Sequence, residues 1–415
     1  MYKTYFKQAL EMLKQNKFIS IISIIGTALA IMMVMVIVVT DAIKKTDIAP
    51  EINRSKTYYA GRYTKVNEKK NRWQTSIDYQ MYKDYFSALT TPIITSVIAS
   101  DYELEYMVKK DEINEREIEC IRKTDANFWK VMSFSFVDGK PFSQEEFDSG
   151  MNHAVISEKL AKKVFGNNNA IGKNIEIDFN PYKVVGVIKD VPQSLKYAYA
   201  EAFIPITSIG NYEKEGCQML ILLENEKDLE LLNKEFETAN RKYNAVDSEW
   251  SMKFHEPRSH QLMLLTGDIY KDPDTSAARR KKILIYAILL LIPAVNLSSF
   301  AMSQIRNRTE EIGIRKAFGA KKIIIVIQIL FENFITSLTG GIIGLVLSYI
   351  VVIWLKSWLL DINTDSTIPL EALISMPVLT GVLFACFILN LLSAGIPAYL
   401  ASRSKIIDSI NKKSI

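Results

Sequence analysis

One stretch of the chain has the residue types of a phosphate-binding loop. The segment FGNNNAIGKN, residues 165–174, carries glycines and a lysine, with which such loops hold phosphate groups. The loop requires four residues between its glycines, and a Ser or Thr after the lysine to hold magnesium. Here five residues separate Gly166 from Gly172, and Asn174 follows the lysine. The segment therefore predicts a turn and not a nucleotide site.

A second stretch, HEPRSH at residues 255–260, has the residue types of a zinc-protease helix. His255 and His260 are five positions apart and off a common helix face, and Pro257 would break a helix between them. His153 is the one other histidine, and no Ser–His–Asp set stands in a recognisable context. We therefore predict no metal site and no enzyme active site in this chain.

The elements that would position these residues divide into apolar and mixed regions. The 415 residues are 48% hydrophobic and 23% charged, with a mean hydropathy of +0.06. Four apolar runs are each long enough to cross a hydrocarbon core of about 30 Å at about 1.5 Å per residue: 18–40, 283–303, 323–353 and 376–400. The predicted fold is a membrane protein of four transmembrane α-helices, with a large α+β domain, residues 41–282, inserted between the first and second helices.

The amino-terminal region allows more than one interpretation. Residues 18–40 exceed the apolar length of a secretory signal peptide, about 7–15 residues, and no small-residue cleavage site follows, so we predict an uncleaved span. Residues 1–17 place apolar side chains on one helical face and lysines largely off it, which predicts an amphipathic helix along the membrane surface. A disordered lead-in is the alternative.

Lysine and arginine in the short connections predict the orientation of the spans. Residues 1–17, 304–322 and 401–415 carry four, six and four of them, and the outer loop 354–375 carries only Lys356. Both termini are therefore predicted on the cytoplasmic side of the membrane and the inserted domain on the other side; in a bacterium this would be the inner membrane, with a periplasmic or extracellular domain. The basic cluster 279–282 disagrees with this rule, and we expect it where the second helix leaves the bilayer as a stalk.

The inserted domain has the alternating pattern of an α+β fold. HAVISEKLAKKVFG predicts a short strand and then an amphipathic helix, and KNIEIDF and YKVVGVIKDVP predict paired strands around the turn NPY. Residues 216–243 predict a strand and then a helix of about 15–17 residues. Cys120 and Cys217 permit one disulfide in an oxidising compartment, although their spacing does not demand it.

A densely charged stretch, RNRTEEIGIRKAFGAKK at residues 306–322, lies between the second and third apolar runs. Asn307 and Glu310 have the spacing of a capping box, and Glu311 precedes Arg315 by four residues, the favourable order for a helical ion pair. Gly319 suits the left-handed end of a helix. The stretch predicts about three turns of helix that present a patch formed by Ile314, Ala317 and Phe318. A charged hairpin that only sets the topology is the alternative.

Three segments resemble the MacB- and FtsX-type family of ABC transporter permeases. DGKPFSQEEFDSGMNHAVISEKLAKKVFGNNNAIGKNIEIDFNPYKVVGVIKDVP resembles the periplasmic core domain of MacB-type permeases. NRTEEIGIRKAFGAKK resembles the cytoplasmic signature that they share with FtsX-type permeases, and IPAYLASRSKIIDSI is similar to the family's closing segment. The parts follow in the same order over almost the whole chain, and the resemblance is weakest over 50–120 and 205–280.

The resemblance implies that residues 304–322 form a coupling helix, which docks into a groove of a separate ABC ATPase subunit. The implied coupling residues are Arg308, Glu310, Glu311, Gly313, Ile314, Arg315, Lys316, Phe318 and Gly319. Because the sequence has no Walker A or ABC signature, ATP and Mg are expected on that partner and no cofactor on this chain. A second permease, identical or related, and membrane lipids are further implied partners. A periplasmic adaptor and an outer-membrane channel are left open, and no nucleic acid is expected.

Polar and small residues inside the predicted spans suggest packing and coupling roles. Glu332 lies in the third run at a position where the family often has a glutamate, which favours a structural or coupling role over proton transport. Asn296 and Asn390 are predicted to form interhelical hydrogen bonds. Gly340 and Gly344 permit close helix approach, either within the chain or at a dimer interface.

Three classes of function are compatible with these features. The favoured one is an ABC permease that exports peptides, antibiotics or lipid-like molecules. The second is an FtsX-type mechanotransmitting signal subunit, which ATP-dependent efflux would distinguish from the first. The third is a membrane-anchored sensor or lipoprotein-handling protein. The short tail 401–415 argues against a sensor, whereas a lipoprotein-extracting permease would have the same topology.

Overall fold

The computed structural model describes residues 17–67, 72–100, 105–110, 115–166, 168–193, 195–246, 250–266, 274–307, 309–355, 358–359 and 376–403. The predicted surface helix 1–17 lies outside these residues apart from Lys17. The outer loop 354–375 is described only at 354–355 and 358–359, and the tail 401–415 only at 401–403. The chain forms two units. We call residues 45–275 the inserted domain, and the described residues of 17–44 and 276–403 the helical unit.

The first predicted span is a helix. α1 runs from Lys17 to Lys45, and its residues Ser20–Lys45 are long and apolar enough to cross a membrane. Ile31, Met35 and Val39 follow one another at every fourth position and are fully buried. This spacing puts them on one face of α1, which packs inside the helical unit.

The inserted domain contains fourteen strands among its described residues. In chain order they are β1 Thr57–Ala60, β2 Arg62–Asn67, β3 Arg72–Asp78, β4 Ile94–Ala99, β5 Glu105–Lys110, β6 Glu115–Thr124, β7 Phe136–Gly139, β8 His153–Ser157, β9 Asn174–Ile177, β10 Asn180–Ile188, β11 Ala202–Pro205, β12 Gly216–Leu222, β13 Trp250–Phe254 and β14 Arg258–Ser259. They pair in the order β11-β8-β10-β9-β5-β6-β4-β12-β3-β2-β13, with β1 on β12, β14 on β1 and β7 on β10. β8 with β10 and β6 with β11 are parallel, and the other described pairs are antiparallel.

Six α-helices also lie among the described residues of the inserted domain: α2 Tyr79–Tyr85, α3 Phe128–Val131, α4 Gln144–Asp148, α5 Glu158–Phe165, α6 Leu229–Asn244 and α7 His260–Thr266. The predicted α+β composition is therefore present. The predicted strand and amphipathic helix at 153–165 are β8 and α5, and Leu160, Val164 and Phe165 are buried as the pattern requires. β12 and the 16-residue α6 likewise match the predicted strand and helix.

The β9–β10 hairpin turns at a different place from the one predicted. NPY was expected to form the turn, but Asn180 already belongs to β10 and pairs with Ile177. Asp178 and Phe179 form the turn instead, with φ angles of 46° and 65°. Two residues with positive φ give the twist that suits a two-residue hairpin loop.

The phosphate-loop stretch and the cysteines behave as ordinary structural elements. Gly166 ends α5 with φ of 61°, and Gly172 turns the chain with φ of 81° while its N–H donates to the carbonyl of Val184. The predicted turn is confirmed. No disulfide joins Cys120 and Cys217, so the disulfide that the sequence left open is not formed in this structure.

The helical unit continues after the inserted domain with α8 Thr275–Asn307, α9 Thr309–Ala317, α10 Lys322–Trp354 and α11 Met376–Arg403. Within the described residues, three segments are long and apolar enough to cross a membrane: Ser20–Lys45 in α1, Lys322–Trp354 in α10 and Val378–Leu400 in α11. The second predicted span, 283–303, lies inside the continuous helix α8, and its role as a span stays a prediction.

Candidate functional site

The short charged helix α9 ends as its sequence predicts. Gly319 has φ of 87°, the left-handed conformation that glycine adopts at low cost. Its N–H donates to the carbonyl of Lys316 at 3.0 Å, and the N–H of Ala320 donates to the carbonyl of Arg315 at 3.0 Å. These two bonds form a Schellman motif, which satisfies carbonyls at the end of the helix. The predicted glycine stop is confirmed.

The start of the helix differs from the prediction. α8 continues to Asn307, so residues 304–307 belong to the preceding helix and α9 begins at Thr309. The side chains of Asn307 and Glu310, and all of Arg308, lie outside the described part of the chain. The capping box and the roles assigned to Arg308 and Glu310 stay predictions.

α9 has one face inside the helical unit and one face on its surface. Ile312 is buried in a cluster with residues from the end of α8, from α10 and from α11: Ile305, Ile325, Ile329 and Ala398. Gly313 is also buried. Ile314 and Phe318 are 51% and 89% exposed, and Ala317 beside them is exposed as well. The predicted apolar patch is therefore present and uncovered in this chain.

A charged residue of α9, Arg315, is connected by hydrogen bonds to the interior of the helical unit. Glu311 and Arg315 form the predicted ion pair, with 2.6 Å between Oε1 and Nη2. Nη1 of Arg315 also donates to Oε1 of Gln328 in α10 at 2.6 Å, and Nε2 of Gln328 donates to Oε1 of Glu332 at 3.0 Å. Glu332 is only 2% exposed. The two residues that sequence analysis named separately, Arg315 and Glu332, are thus joined through one that it missed.

Gln328 could have been found from its position. It lies one helical turn before Glu332, so the two side chains share a face of α10, and it interrupts an otherwise apolar run. Lys316, also in α9, has its pKa lowered by burial and by the nearby charge of Lys322. Arg315, Lys316 and Lys322 therefore bring positive charge to the end of α9 and the start of α10.

The two predicted close-packing glycines contact α1 within the same chain. A Cβ atom on Gly344 would lie 2.5 Å from the carbonyl oxygen of Ala28, and one on Gly340 would lie 2.7 Å from Cβ of Thr27. A side chain at either position would displace α1, because real Cβ atoms do not approach so closely. Of the two alternatives left open, the structure shows packing within the chain.

The predicted asparagine bond between helices is present for one of the two residues. Nδ2 of Asn390 in α11 donates to the carbonyl of Leu330 in α10 at 3.0 Å. The side chain of Asn296 in α8 lies outside the described residues. At the other end of the unit, Nζ of Lys282 in α8 is 2.6 Å from Oδ2 of Asp41 in α1. α1 and α8 are therefore tied together beside the basic cluster 279–282.

A buried ion pair that the sequence did not reveal fixes the first residues of the inserted domain. Oε2 of Glu51 is 2.6 Å from Nε of Arg54, and both side chains are almost fully buried. Oε1 of Glu51 accepts from the backbone N–H groups of Tyr197 and Ala198 at 3.1 Å, and Nη1 of Arg54 donates to the carbonyl of Thr46 at 3.1 Å. The segment that follows α1 is thereby held on the core of the domain.

The histidines of the rejected zinc motif take part in separate hydrogen bonds. The ring of His255 lies between Nη2 of Arg62 at 2.9 Å and Oγ1 of Thr64 at 2.7 Å. Nδ1 of His260 lies 3.3 Å from the hydroxyl of Tyr59. Within the described residues, no group of three potential metal ligands occurs.

Comparison with known families agrees with this architecture. A family described as the MacB-like periplasmic core domain matches residues 20–239, and one described as the FtsX-like permease C-terminal region matches residues 283–406. The first match covers more than half of the chain, and the second contains α9, α10 and α11.

Several relatives are permeases. The ABC transporter permease YknZ of Bacillus subtilis is 25% identical over 262 residues, 62% of each chain. The pyoverdine export ATP-binding/permease protein PvdT of Pseudomonas aeruginosa is 25% identical over 236 residues, 54% of this chain and 33% of that protein. The macrolide export ATP-binding/permease protein MacB of Mannheimia succiniciproducens is 23% identical over 62% of this chain and 39% of its own. The chain thus matches about three fifths of YknZ, about a third of PvdT and about two fifths of MacB.

Two solved structures show a partial likeness. The extracellular domain of YknZ aligns with 47% of this chain at 17% identity and a TM-score of 0.34, with 99% of that domain covered. The periplasmic region of MacB from Actinobacillus actinomycetemcomitans aligns with 51% of this chain and 94% of that region, at 14% identity and a TM-score of 0.35. The two family matches, which together cover residues 20–239 and 283–406, show that the chain belongs to the MacB- and FtsX-type family of ABC transporter permeases.

Proposed function

We propose that this permease couples ATP hydrolysis by a separate ABC ATPase to conformational change in the inserted domain, and that this change drives efflux of peptides, antibiotics or lipid-like molecules. The observation that carries the proposal is the two-sided packing of α9. Its inner face is fixed to three other helices, and its outer face leaves Ile314, Ala317 and Phe318 exposed. A short helix of this kind can receive a partner on one side and pass its movement to the helical unit on the other.

The proposed direction of action follows from the predicted topology. With the termini on the cytoplasmic side, α9 faces the compartment that holds ATP, and the inserted domain lies outside. ATP and Mg then belong to the partner, and a second permease, identical or related, completes the transporter. The two relatives named as exporters, of pyoverdine and of a macrolide, support efflux, although this chain matches only 33% of the first and 39% of the second.

The test is co-purification and ATP hydrolysis. The purified chain alone should show no hydrolysis above a contamination control, and hydrolysis should appear with the cognate ABC ATPase. Phe318→Asp places a charge on the exposed apolar face, and we expect at least a tenfold loss of ATPase binding, since a poorly matched charge at an interface costs several kcal/mol. Trp73→Asp is the matched control, because Trp73 is an aromatic side chain exposed in the inserted domain, and it should leave binding unchanged.

Two outcomes would contradict parts of the proposal. Hydrolysis by the chain alone would show that ATP is not hydrolysed by a separate subunit, and full ATPase binding by Phe318→Asp would show that α9 is not a coupling helix. ATPase stimulation without any ATP-dependent efflux would instead favour the FtsX-type signal subunit, with the same coupling helix and no transported substrate.

A further inference from the structure

We propose that Gln328 is a positioning residue that connects α9 to the interior of α10 through a directional chain of hydrogen bonds, so that a movement of α9 is carried to Glu332. The proposal rests on the proposed function, since it supposes that a partner moves α9. It assigns the transmission to one amide side chain, which lies between a surface cation and a buried carboxylate.

The chain of contacts is short and continuous. Arg315 holds Glu311 on the surface of α9 and donates through its other nitrogen to Gln328 at 2.6 Å. Gln328 donates in turn to Glu332 at 3.0 Å. Gln328 and Glu332 are 7% and 2% exposed. Buried polar groups that lose a partner are strongly penalised, so Gln328 and Glu332 tend to move together with Arg315.

The chemistry of each member explains why the bridge is an amide. A guanidinium group has only donors, and an ionised carboxylate has only acceptors. Arg315 and Glu332 can both be satisfied by a side chain that has an acceptor at one atom and a donor at another. The carbonyl of Gln328 faces Arg315 and its NH₂ group faces Glu332, which is the one amide orientation that makes both contacts hydrogen bonds.

The apolar contacts around the Arg315–Gln328–Glu332 hydrogen bonds could not orient α9 in the same way. Ile312 packs against Ile325 and Ile329 of α10, and such contacts resist separation but have no preferred direction. Hydrogen bonds depend on distance and angle. The Arg315–Gln328–Glu332 chain therefore fixes which turn of α10 faces α9.

The experiment is hydrogen exchange on the full chain in lipid nanodiscs, measured on the amides of α9. Gln328→Met removes both bonds, and Gln328→Glu keeps the acceptor for Arg315 but places a carboxylate against Glu332. We expect α9 to exchange about tenfold faster or more in both variants, since Gln328→Met loses both hydrogen bonds, and Gln328→Glu loses the bond to Glu332 and sets two carboxylates against each other. Glu332→Gln should exchange within about threefold of the unmodified chain, because its amide oxygen still accepts from Gln328.

The double variant Gln328→Glu with Glu332→Gln is the decisive one. The carboxylate at position 328 accepts from Arg315, as the amide of Gln328 does. The new amide at position 332 donates to that carboxylate, so the bond between the two positions is restored with donor and acceptor exchanged. Exchange of α9 should return to within about threefold of the unmodified protein. Ile324→Met, one turn before Gln328 on the same helix, is the control and should have no effect.

A positioning role also predicts a functional readout. Stimulation of the co-purified ATPase by the permease should fall about tenfold in Gln328→Glu and return in the double variant. If the double variant exchanges as fast as Gln328→Glu, or if Gln328→Glu exchanges like the unmodified chain, the positioning role is wrong whatever the ATPase does. If the exchange pattern is as expected but stimulation is equal in all variants, the transmission is wrong. Failure of the unmodified chain to bind an ATPase would overturn the proposed function, and would be seen separately from the exchange data.

Discussion

The inserted domain is stabilised by one kind of residue and the helical unit by another. The core of the inserted domain is rich in aromatic rings, such as Phe128, Phe203 and Trp129, which lie 5.4 to 5.5 Å apart between ring centroids. The helical unit depends on glycines that let α10 approach α1, and on single hydrogen bonds such as that of Asn390. In water, burial of large apolar surface stabilises a fold, whereas helices in a lipid environment gain little from it and associate through close contact. The inserted domain should therefore be sensitive to lost atoms and the helical unit to added ones.

The largest expected effect is the loss of an aromatic ring from the inserted domain. Phe203 is fully buried in β11 and contacts Phe128, Trp129 and Phe134. Phe203→Ala should lower the free energy of unfolding of this domain by about 3–5 kcal/mol through lost burial and a residual cavity. Urea titration of the intact protein, with pulse proteolysis of the inserted domain, measures it. Phe179→Ala, at a 61% exposed ring, should change the value by less than about 0.5 kcal/mol.

The second expected effect is the destabilisation of the helical unit by an added methyl group. Gly344→Ala adds one methyl group at a position where it meets the backbone of α1, and should destabilise the unit by about 1–3 kcal/mol. Gly395→Ala in α11 is the matched control, because no atom lies within 4 Å of its added Cβ, and it should be neutral or stabilising by up to about 1 kcal/mol. Resistance of the intact protein to unfolding in SDS compares the two. Equal effects at both glycines would remove the contrast between the units.

The third expected effect depends on pH and concerns a buried carboxyl group in the inserted domain. Burial raises the pKa of Asp125 to about 7, although Ser96, Val97 and Phe128 donate hydrogen bonds to it. Because the folded-state pKa exceeds the unfolded value, the folded state binds the proton more tightly. The stability from this group is full below about pH 4 and is lost as the pH rises to about 7, with a slope of at most about 1.4 kcal/mol per pH unit.

Asp125→Asn should remove that slope from the urea midpoints of the inserted domain measured between pH 4 and 7, even if the variant is less stable throughout. Asp148→Asn, at an exposed carboxylate in α4, should keep the slope of the unmodified protein. An identical slope in both variants would mean that Asp125 does not titrate in this range.

The features that the sequence predicted depend on neighbouring residues. The ion pair of Glu311 with Arg315 and the end of α9 at Gly319 both follow from spacing within one or two turns of helix. The strand and helix of β8 and α5 follow from apolar periodicity in one short segment. In each case the interacting groups are close in the chain, so their pattern is visible without the fold.

The features that the sequence did not predict depend on tertiary contacts. Gln328 meets Arg315 only because α10 folds back beside α9, and Glu51 is satisfied by backbone groups about 146 residues away. The continuation of α8 to Asn307 was missed because asparagine also favours the start of a helix. The parallel pairing of β6 with β11 is likewise set by distant segments. Packing of this kind leaves no local signature.

The length of α8 has a mechanical consequence. Its 33 residues have a helical length of about 50 Å, so if residues 283–303 cross a hydrocarbon core of about 30 Å as the sequence predicts, about 20 Å of α8 extends beyond that core. Tilting a rod of this length by about 5° about one end moves the other end by about 4 Å. Asn307, its last residue, is separated from α9 by one residue, and Thr275, its first, is the last residue of the inserted domain. If α8 moves as a rigid body, a rotation of about 5° at its α9 end is therefore enough to shift its opposite end by about the spacing between two β-strands.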